Sequence, residues 1–421
     1  MINWNTIRQA GFAIFCFLPL IYKQTTDHAA DSLRATQESF FQYFAMGLIA
    51  LFIGNIWLSG FLILNLLLFI RNGQDIGHSQ VLNIFLGCLL FLVSRNFFKQ
   101  NKFDTIYKYL LAIVAINLSW MFLQSFRLDP VFSGQTNAGI PMMGPFGDLV
   151  GFFGIKMANG IFLTIMLPIL ASTSLFLGAA LLIPIAMTQS SGVALSVAIV
   201  VLFYTFFLHK RIFKVLLFLI PIVAGVFIFL DLKTDPMTFT SRFPVWHSAI
   251  TQTFKNSNSF CAITGYGPDS YRNLTKFKRF SFVGDEHYQH GLLYDLGDGK
   301  SAFRYYSPTG DVAKIEALNQ KVGETKIAQG QFDLWDSPHS EYVSMFFEYG
   351  IIGIFLLMGL LREIYFRFRS STKGKELVVV TSCLLVYFIT SIVHFPLHLA
   401  RLGYIFPIIL GAFYSLTDVD N

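Results

Sequence analysis

Charge is what this sequence has least of. Asp, Glu, Lys and Arg make up 13% of its 421 residues, about half the roughly 25% of an ordinary soluble domain. Apolar residues take up 54%, and Phe alone occurs 47 times. A soluble fold cannot cover that much apolar surface, so a soluble enzyme and a disordered chain are both disfavoured. Cysteine is also scarce, with four residues, which argues against a disulfide scaffold. Cys16, Cys88 and Cys383 lie in apolar runs, and Cys261 lies in a polar stretch with no obvious partner. All four read as packing residues. There is no internal repeat and no low-complexity tract. No small-x-small cleavage site closely follows the apolar run 11–22, which therefore reads as a retained first span.

What is present is long apolar stretches. They fall at 8–22, 41–57, 59–70, 79–97, 106–125, 148–169, 172–187, 193–208, 213–231, 341–361, 377–394 and 401–417. A membrane helix needs about 20 such residues. The expected fold is therefore an all-α polytopic membrane protein with about twelve transmembrane helices. The block 40–70 would be about 46 Å long as one helix, too long for one span and short for two. It divides best near Leu58-Ser59-Gly60.

With the N-terminus in the cytoplasm, the short inside loops hold Arg95, Lys99, Lys102, Lys210, Arg211, Lys214, Arg362, Arg367, Arg369, Lys373 and Lys375. The outside loops hold Lys23, Arg34, Arg71, Arg127 and Arg401. That bias supports the orientation. It also accounts for the net charge of +6 without any nucleic acid partner. The chain then divides into helices 1–9 over residues 1–231, a large outside loop over 232–340, and helices 10–12 over 341–421. The loop has 109 residues with 12 Lys/Arg and 11 Asp/Glu, and it keeps Trp246 and Trp335. Such a composition predicts a folded, functional segment rather than a linker.

Three places in the loop carry candidate chemistry. In Thr240–Ile250, Ser241 is a plausible N-cap and Pro244 suits a first turn. Arg242, Trp246 and Ile250 are four apart and share one helical face. An Arg at a positive helix end calls for a nearby anion, or else snorkels at the membrane surface. Gly265-Tyr266-Gly267-Pro268 predicts a tight turn. Asp285-Glu286-His287 with His290 lacks the helical context of a metal site, and Pro396 spoils the spacing of His394 and His398, so no metal is expected. The third place is Ser337-Pro338-His339-Ser340. Here Ser337 is expected to cap a helix, with His339 in its first turn at the outer membrane boundary. Gly350 is expected on the same face as His339, and with Gly353 it leaves that face bare for another helix or a lipid chain.

These residues resemble the O-antigen ligase and O-antigen polymerase superfamily. Its ligases carry His, then Asn, Ser or Gln, nine residues, Gly, two residues, and Gly, Thr or Tyr. His339-Ser340, Gly350 and Gly353 fit that pattern. Arg242 with Trp246 resembles the Arg and aromatic that follow the ninth span, and Gly265-x-Gly267 resembles the family's next turn. The likeness runs from about the sixth span to the C-terminus. Members commonly carry a further Arg at the start of the eighth span, where this chain has Ser191. Arg272, Arg279 and Arg304 are the loop residues that could supply its charge.

The resemblance implies a multi-pass protein of the bacterial inner membrane with its large loop in the periplasm. It implies transfer of a glycan from an undecaprenyl-diphosphate carrier to an acceptor hydroxyl, most simply on lipid A-core. His339 would be the general base and Arg242, Arg272, Arg279 and Arg304 would hold the diphosphate. Trp246, Gly265, Gly267, Ser340, Gly350 and Gly353 would support them, with no metal and no cofactor. A polymerase of lipid-linked repeats or a protein O-oligosaccharyltransferase would share this chemistry. A lipid-linked oligosaccharide flippase is a further alternative, but it should line its spans with ionisable residues, and these spans carry few.

Overall fold

The computed structural model describes residues 55–72, 78–126, 151–153, 156–188, 190–234, 246, 249–250, 253–254, 259–267, 270, 278–283, 288–297, 300–305, 333–334, 340–394, 396–397 and 400–418. Its helices are α1 (Ile56–Asn72), α2 (His78–Gln100), α3 (Tyr107–Ser125), α4 (Lys156–Thr173), α5 (Leu175–Met187), α6 (Ser191–Leu208), α7 (Lys210–Thr234), α8 (Ser259–Thr264), α9 (Glu341–Ser370), α10 (Lys375–Val393), α11 (Ala400–Gly403) and α12 (Ile405–Thr417). Four strands, β1 (Lys278–Val283), β2 (Tyr288–Gly297), β3 (Lys300–Tyr305) and β4 (Asp333–Leu334), form one antiparallel sheet in the order β3-β2-β1-β4. The helical expectation therefore needs one amendment, because the polar loop contains a small sheet. Apolar run length cannot detect strands in a segment this polar.

Among the described residues, three helices are long and apolar enough to cross a membrane, namely Phe103–Ser125, Glu341–Ser370 and Lys375–Ile392. Shorter apolar helices lie at Ile56–Asn65, Met157–Thr173, Leu175–Met187, Gly192–Leu208 and Ile405–Thr417. The expected run 8–22 and most of 41–57 lie outside the described residues. A helix N-terminus does fall near the expected division of the block 40–70. Asn55 Oδ1 accepts the N–H groups of Trp57 (3.1 Å) and Leu58 (2.9 Å), which is a side-chain cap.

The chain forms two compact units. The first comprises Met1–Leu66, His78–Phe227 and Leu356–Asn421, and the second Leu67–Gly77 and Ile228–Phe355.

In the first unit α12 packs on α2, and α10 packs on α6, α4 and α12. Gly411 lets the α12 backbone approach α2 closely, since a Cβ there would stand 2.8 Å from the Arg95 nitrogen and the Phe91 oxygen. The core is formed by Phe91, Phe162, Val378, Leu384, Tyr387 and Phe413, all at most 2% exposed.

Polar contacts show which helix ends meet. Asp418, after α12, takes Arg95 from the end of α2 (2.9 Å) and Arg367 from the end of α9 (3.0 Å). Arg367 also binds Glu363 (2.7 Å), and Asn55 reaches both Glu363 and the Tyr414 hydroxyl at 2.7 Å. Phe207 of α6 meets Phe368 of α9, and Glu376 accepts the Phe103 N–H. The ends of α2, α6, α9 and α12 thus share one end of the unit with the starts of α1 and α10. At the opposite end, Ser190 before α6 meets His394 after α10, and Gln124 holds the Gly151 backbone. Helices consecutive in sequence, such as α6 and α7 or α9 and α10, therefore run in opposite directions, whereas the packed pair α2 and α12 runs parallel.

Candidate functional site

The site is built in the second unit around the first half of α9. This helix starts at Glu341, and the Ser340 carbonyl accepts the Ser344 N–H (2.9 Å). Ser340 therefore holds the cap position, three residues later than the expected cap at Ser337. At Gly350 the backbone leaves helical geometry, with φ 61° and ψ −157°. That conformation is essentially restricted to glycine. The helix changes course at that residue, and the expectation that Gly350 shares a helical face with His339 involves a residue outside those described.

A kink removes the usual hydrogen-bond donors from the carbonyls before it. Two of those carbonyls are satisfied by the Gly265–Gly267 turn. Tyr266 N–H donates to Phe347 O (3.1 Å) and Gly267 N–H donates to Glu348 O (2.8 Å). Both turn glycines have positive φ, 76° and 106°. The short helix α8 leads into the turn, with Gly265 N–H donating to Cys261 O. The approach is backbone on backbone. A Cβ on Gly350 would lie 2.5 Å from Ile263 O and 2.6 Å from Gly265 N, and a Cβ on Gly265 would overlap the Glu348 carbonyl. The closeness expected of Gly350 is present, and its neighbours are Ile263, at the end of the short helix α8, and Gly265 of the turn that follows it. Gly353 is covered by Tyr349 of its own helix.

Ring contacts complete the frame. Tyr266 meets Phe347 at 4.9 Å and Phe254 meets Phe346 at 5.6 Å. Trp246, Ala249, Ile250, Thr253 and Phe254 are each in helical conformation, and Thr253 Oγ1 donates to Ala249 O at 2.9 Å. Of these Ala249 and Thr253 are buried, Trp246 is half-buried and Ile250 is exposed. Phe254 and the glycine turn thus both meet α9 between Phe346 and Gly350.

The arginines are placed less completely. Arg279 in β1 pairs with Leu292 of β2 and Asp333 of β4, and Leu292 pairs with Arg304 of β3. Arg304, Leu292, Arg279 and Asp333 therefore occupy one row across the sheet, with the two arginines two strand spacings, about 10 Å, apart. His339, Arg242 and Arg272 lie outside the described residues, as do Asp285, Glu286, His287 and His398. His290 pairs with Ser281 in the sheet. His394 is buried, with Nε2 3.4 Å from Ser190 Oγ. Among the described residues no three His, Cys, Asp or Glu side chains are grouped closely enough to hold a metal ion.

Sequence reasoning missed the polar stripe of α9. Ser340, Glu341, Ser344, Phe347 and Glu348 are all at most 4% exposed, while Ile351 and Phe355 beyond the kink are exposed. Two carboxylates two turns apart are thus buried on one face of a helix that is otherwise apolar. Buried charge is costly unless paired and hydrogen-bonded, so such a stripe marks a polar interior. The signal was available as polar residues at a spacing of three and four inside an apolar run.

No protein-family model matches this chain, and no curated protein matches it by sequence.

Proposed function

We propose that this protein is a membrane glycosyltransferase of the O-antigen ligase type. In this reading about twelve spans carry the loop 232–340 on the periplasmic side of the inner membrane. The glycan arrives on undecaprenyl diphosphate and leaves on an acceptor hydroxyl, with lipid A-core as the first choice of acceptor. His339 takes the proton from that hydroxyl as its oxygen bonds to the sugar's anomeric carbon. The bond from that carbon to the diphosphate oxygen breaks, and undecaprenyl diphosphate departs. Arg242, with Arg272, Arg279 and Arg304, neutralises the charge that collects on the diphosphate. The donor is already activated, so the step needs neither a metal nor a cofactor.

One observation carries the reading. Gly265-x-Gly267 and Gly350, read separately as parts of one family pattern, lie together: the turn hydrogen-bonds to Phe347 O and Glu348 O just before Gly350, and Gly350 packs against the Gly265 backbone. Chance matches to a pattern carry no such requirement. Phe254, eight residues after Trp246 in the sequence, meets Phe346 in the same part of α9.

The test uses purified protein in nanodiscs with an undecaprenyl-diphosphate-linked glycan and lipid A-core, followed by mass spectrometry of the product. Wild type should transfer the glycan and continue to do so in excess chelator. His339→Ala should reduce transfer at least a thousandfold while the protein still accumulates. An active His339→Ala variant would remove the base from the mechanism. Activity lost in chelator and restored by a divalent ion would remove the metal-free route. Chain extension on the lipid carrier in place of transfer to core would mark a polymerase. Movement of the donor across the bilayer without transfer would mark a flippase.

A further inference from the structure

One end of the first unit combines an apolar surface with unbalanced positive charge. There α6 ends at Leu208, α7 begins with Lys210 and Arg211, and α9 ends at Ser370. Phe368 of α9 lies 5.6 Å from Phe203 and 5.3 Å from Phe207 of α6. Phe206 meets Phe213 of α7 at 5.1 Å. Lys373 Nζ sits 4.3 Å from the centre of the Phe368 ring and donates to Ser371 O. Around this aromatic cluster Lys210, Arg211, Lys214, Arg369 and Lys375 are exposed.

Among the described residues the acids nearby do not offset these cations. Glu363 and Asp418 are engaged by Arg367 and Arg95, and Glu376 accepts the Phe103 N–H. Asp104 is exposed in the 3-10 turn that precedes α3. Lys210, Arg211 and Lys214 moreover stand in the first turns of a 25-residue helix, where the positive end of the dipole opposes them and favours an anion. Directly along the same helix Val215 and Phe218 are 57% and 73% exposed, and Phe206 on α6 is 49% exposed.

A ligand that fits must bring negative charge and a long apolar body together. A free anion makes no use of the exposed apolar side chains beside the cations, and a neutral lipid offers the cations no charge to pair with. We propose that this face is a binding site for an anionic phospholipid. Its phosphate lies among Lys210, Arg211, Lys214, Arg369 and Lys373, and its acyl chains lie along Val215 and Phe218. Basic pockets between membrane helices are suited to such headgroups. The inference does not depend on the glycosyltransferase reading.

The experiment is lipid competition on the full-length protein. Wild type in nanodiscs of mixed phosphatidylcholine and phosphatidylglycerol is released into mild detergent, and the retained lipid is identified by native mass spectrometry. Retention of phosphatidylglycerol should exceed phosphatidylcholine at least tenfold. The triple variant Lys210→Ala, Arg211→Ala, Lys214→Ala should lower that preference to within twofold and remain monodisperse. If the triple variant does not accumulate, Arg369→Ala with Lys373→Ala should give the same loss. Equal retention of the two lipids by wild type, or undiminished preference in the variants, would overturn the proposal. So would millimolar inorganic phosphate that displaces the retained phosphatidylglycerol completely, since the site would then be a free-anion site.

Discussion

Gly265 and Gly350 are the residues on which the geometry of the site depends most directly. Each has positive φ, and each is closely approached by backbone, Gly350 by Ile263 and Gly265, and Gly265 by Glu348 and Tyr349. Gly350→Ala must place a methyl group against Ile263 O and Gly265 N, in a backbone region that side chains avoid. It should cost roughly 3 kcal/mol or more, read as a lower midpoint of thermal unfolding. Gly265→Ala should behave alike, whereas Gly225→Ala, where a Cβ would meet nothing within 4 Å, should be neutral. Arg242 gives a chemical prediction at the same scale. Arg242→Lys keeps the charge but loses the planar fork that matches phosphate oxygens, so donor turnover should fall at least tenfold with normal accumulation. Wild-type turnover in that variant would reduce Arg242 to a membrane-surface residue. The turn at Gly265-x-Gly267 could be read from the sequence because glycine's freedom is local. Its partner could not, because a backbone–backbone contact leaves no trace in side-chain identity.

Helix positions were readable from apolar runs, but helix ends were not. The run 213–231 is found inside α7, Lys210–Thr234, and the run 341–361 inside α9, which continues to Ser370. Hydropathy records where the hydrocarbon would be, whereas the backbone hydrogen-bond ladder continues into the charged ends. The run 401–417 is split into α11 and α12 at Tyr404. Pro407 explains where α12 begins, since proline is accepted in a first turn and not in the middle of a helix. The cluster at the ends of α2, α9 and α12 allows a quantitative test. Asp418 is 21% exposed and serves both Arg95 and Arg367, so it lies between an exposed pair and a buried one. Asp418→Asn should cost about 2 kcal/mol, measured as a shift in the thermal or denaturant midpoint. An unchanged midpoint would mean that solvent compensates both arginines.

For the whole molecule the sequence carried a sidedness rule, and three basic connections that it grouped together are found at one end of the first unit. Arg95 meets Arg367 through Asp418, and the connection after α6 meets the end of α9 through Phe207 and Phe368. If that end faces the cytoplasm, a reporter active only in the cytoplasm should work when inserted after Lys373 and be silent when inserted near Lys300. Full activity at both positions would overturn the orientation and the proposed chemistry with it. The small sheet was not foreseen, because its strands lie in a polar segment whose pairing is set by distant residues such as Asp333 against Arg279.

The pairing of α2 with α12 also has a consequence for biosynthesis. Arg95 and its acceptor Asp418 are 323 residues apart. At roughly 5–20 residues per second, a ribosome needs some tens of seconds to make the chain between them. Throughout that interval α2 is already available for insertion while its main packing partner has not been made. The nascent chain must keep Arg95 solvated at the bilayer edge and the surface of α2 covered by lipid or an insertion factor. A ribosome stalled before α12 would leave α2 exposed to membrane quality-control proteases.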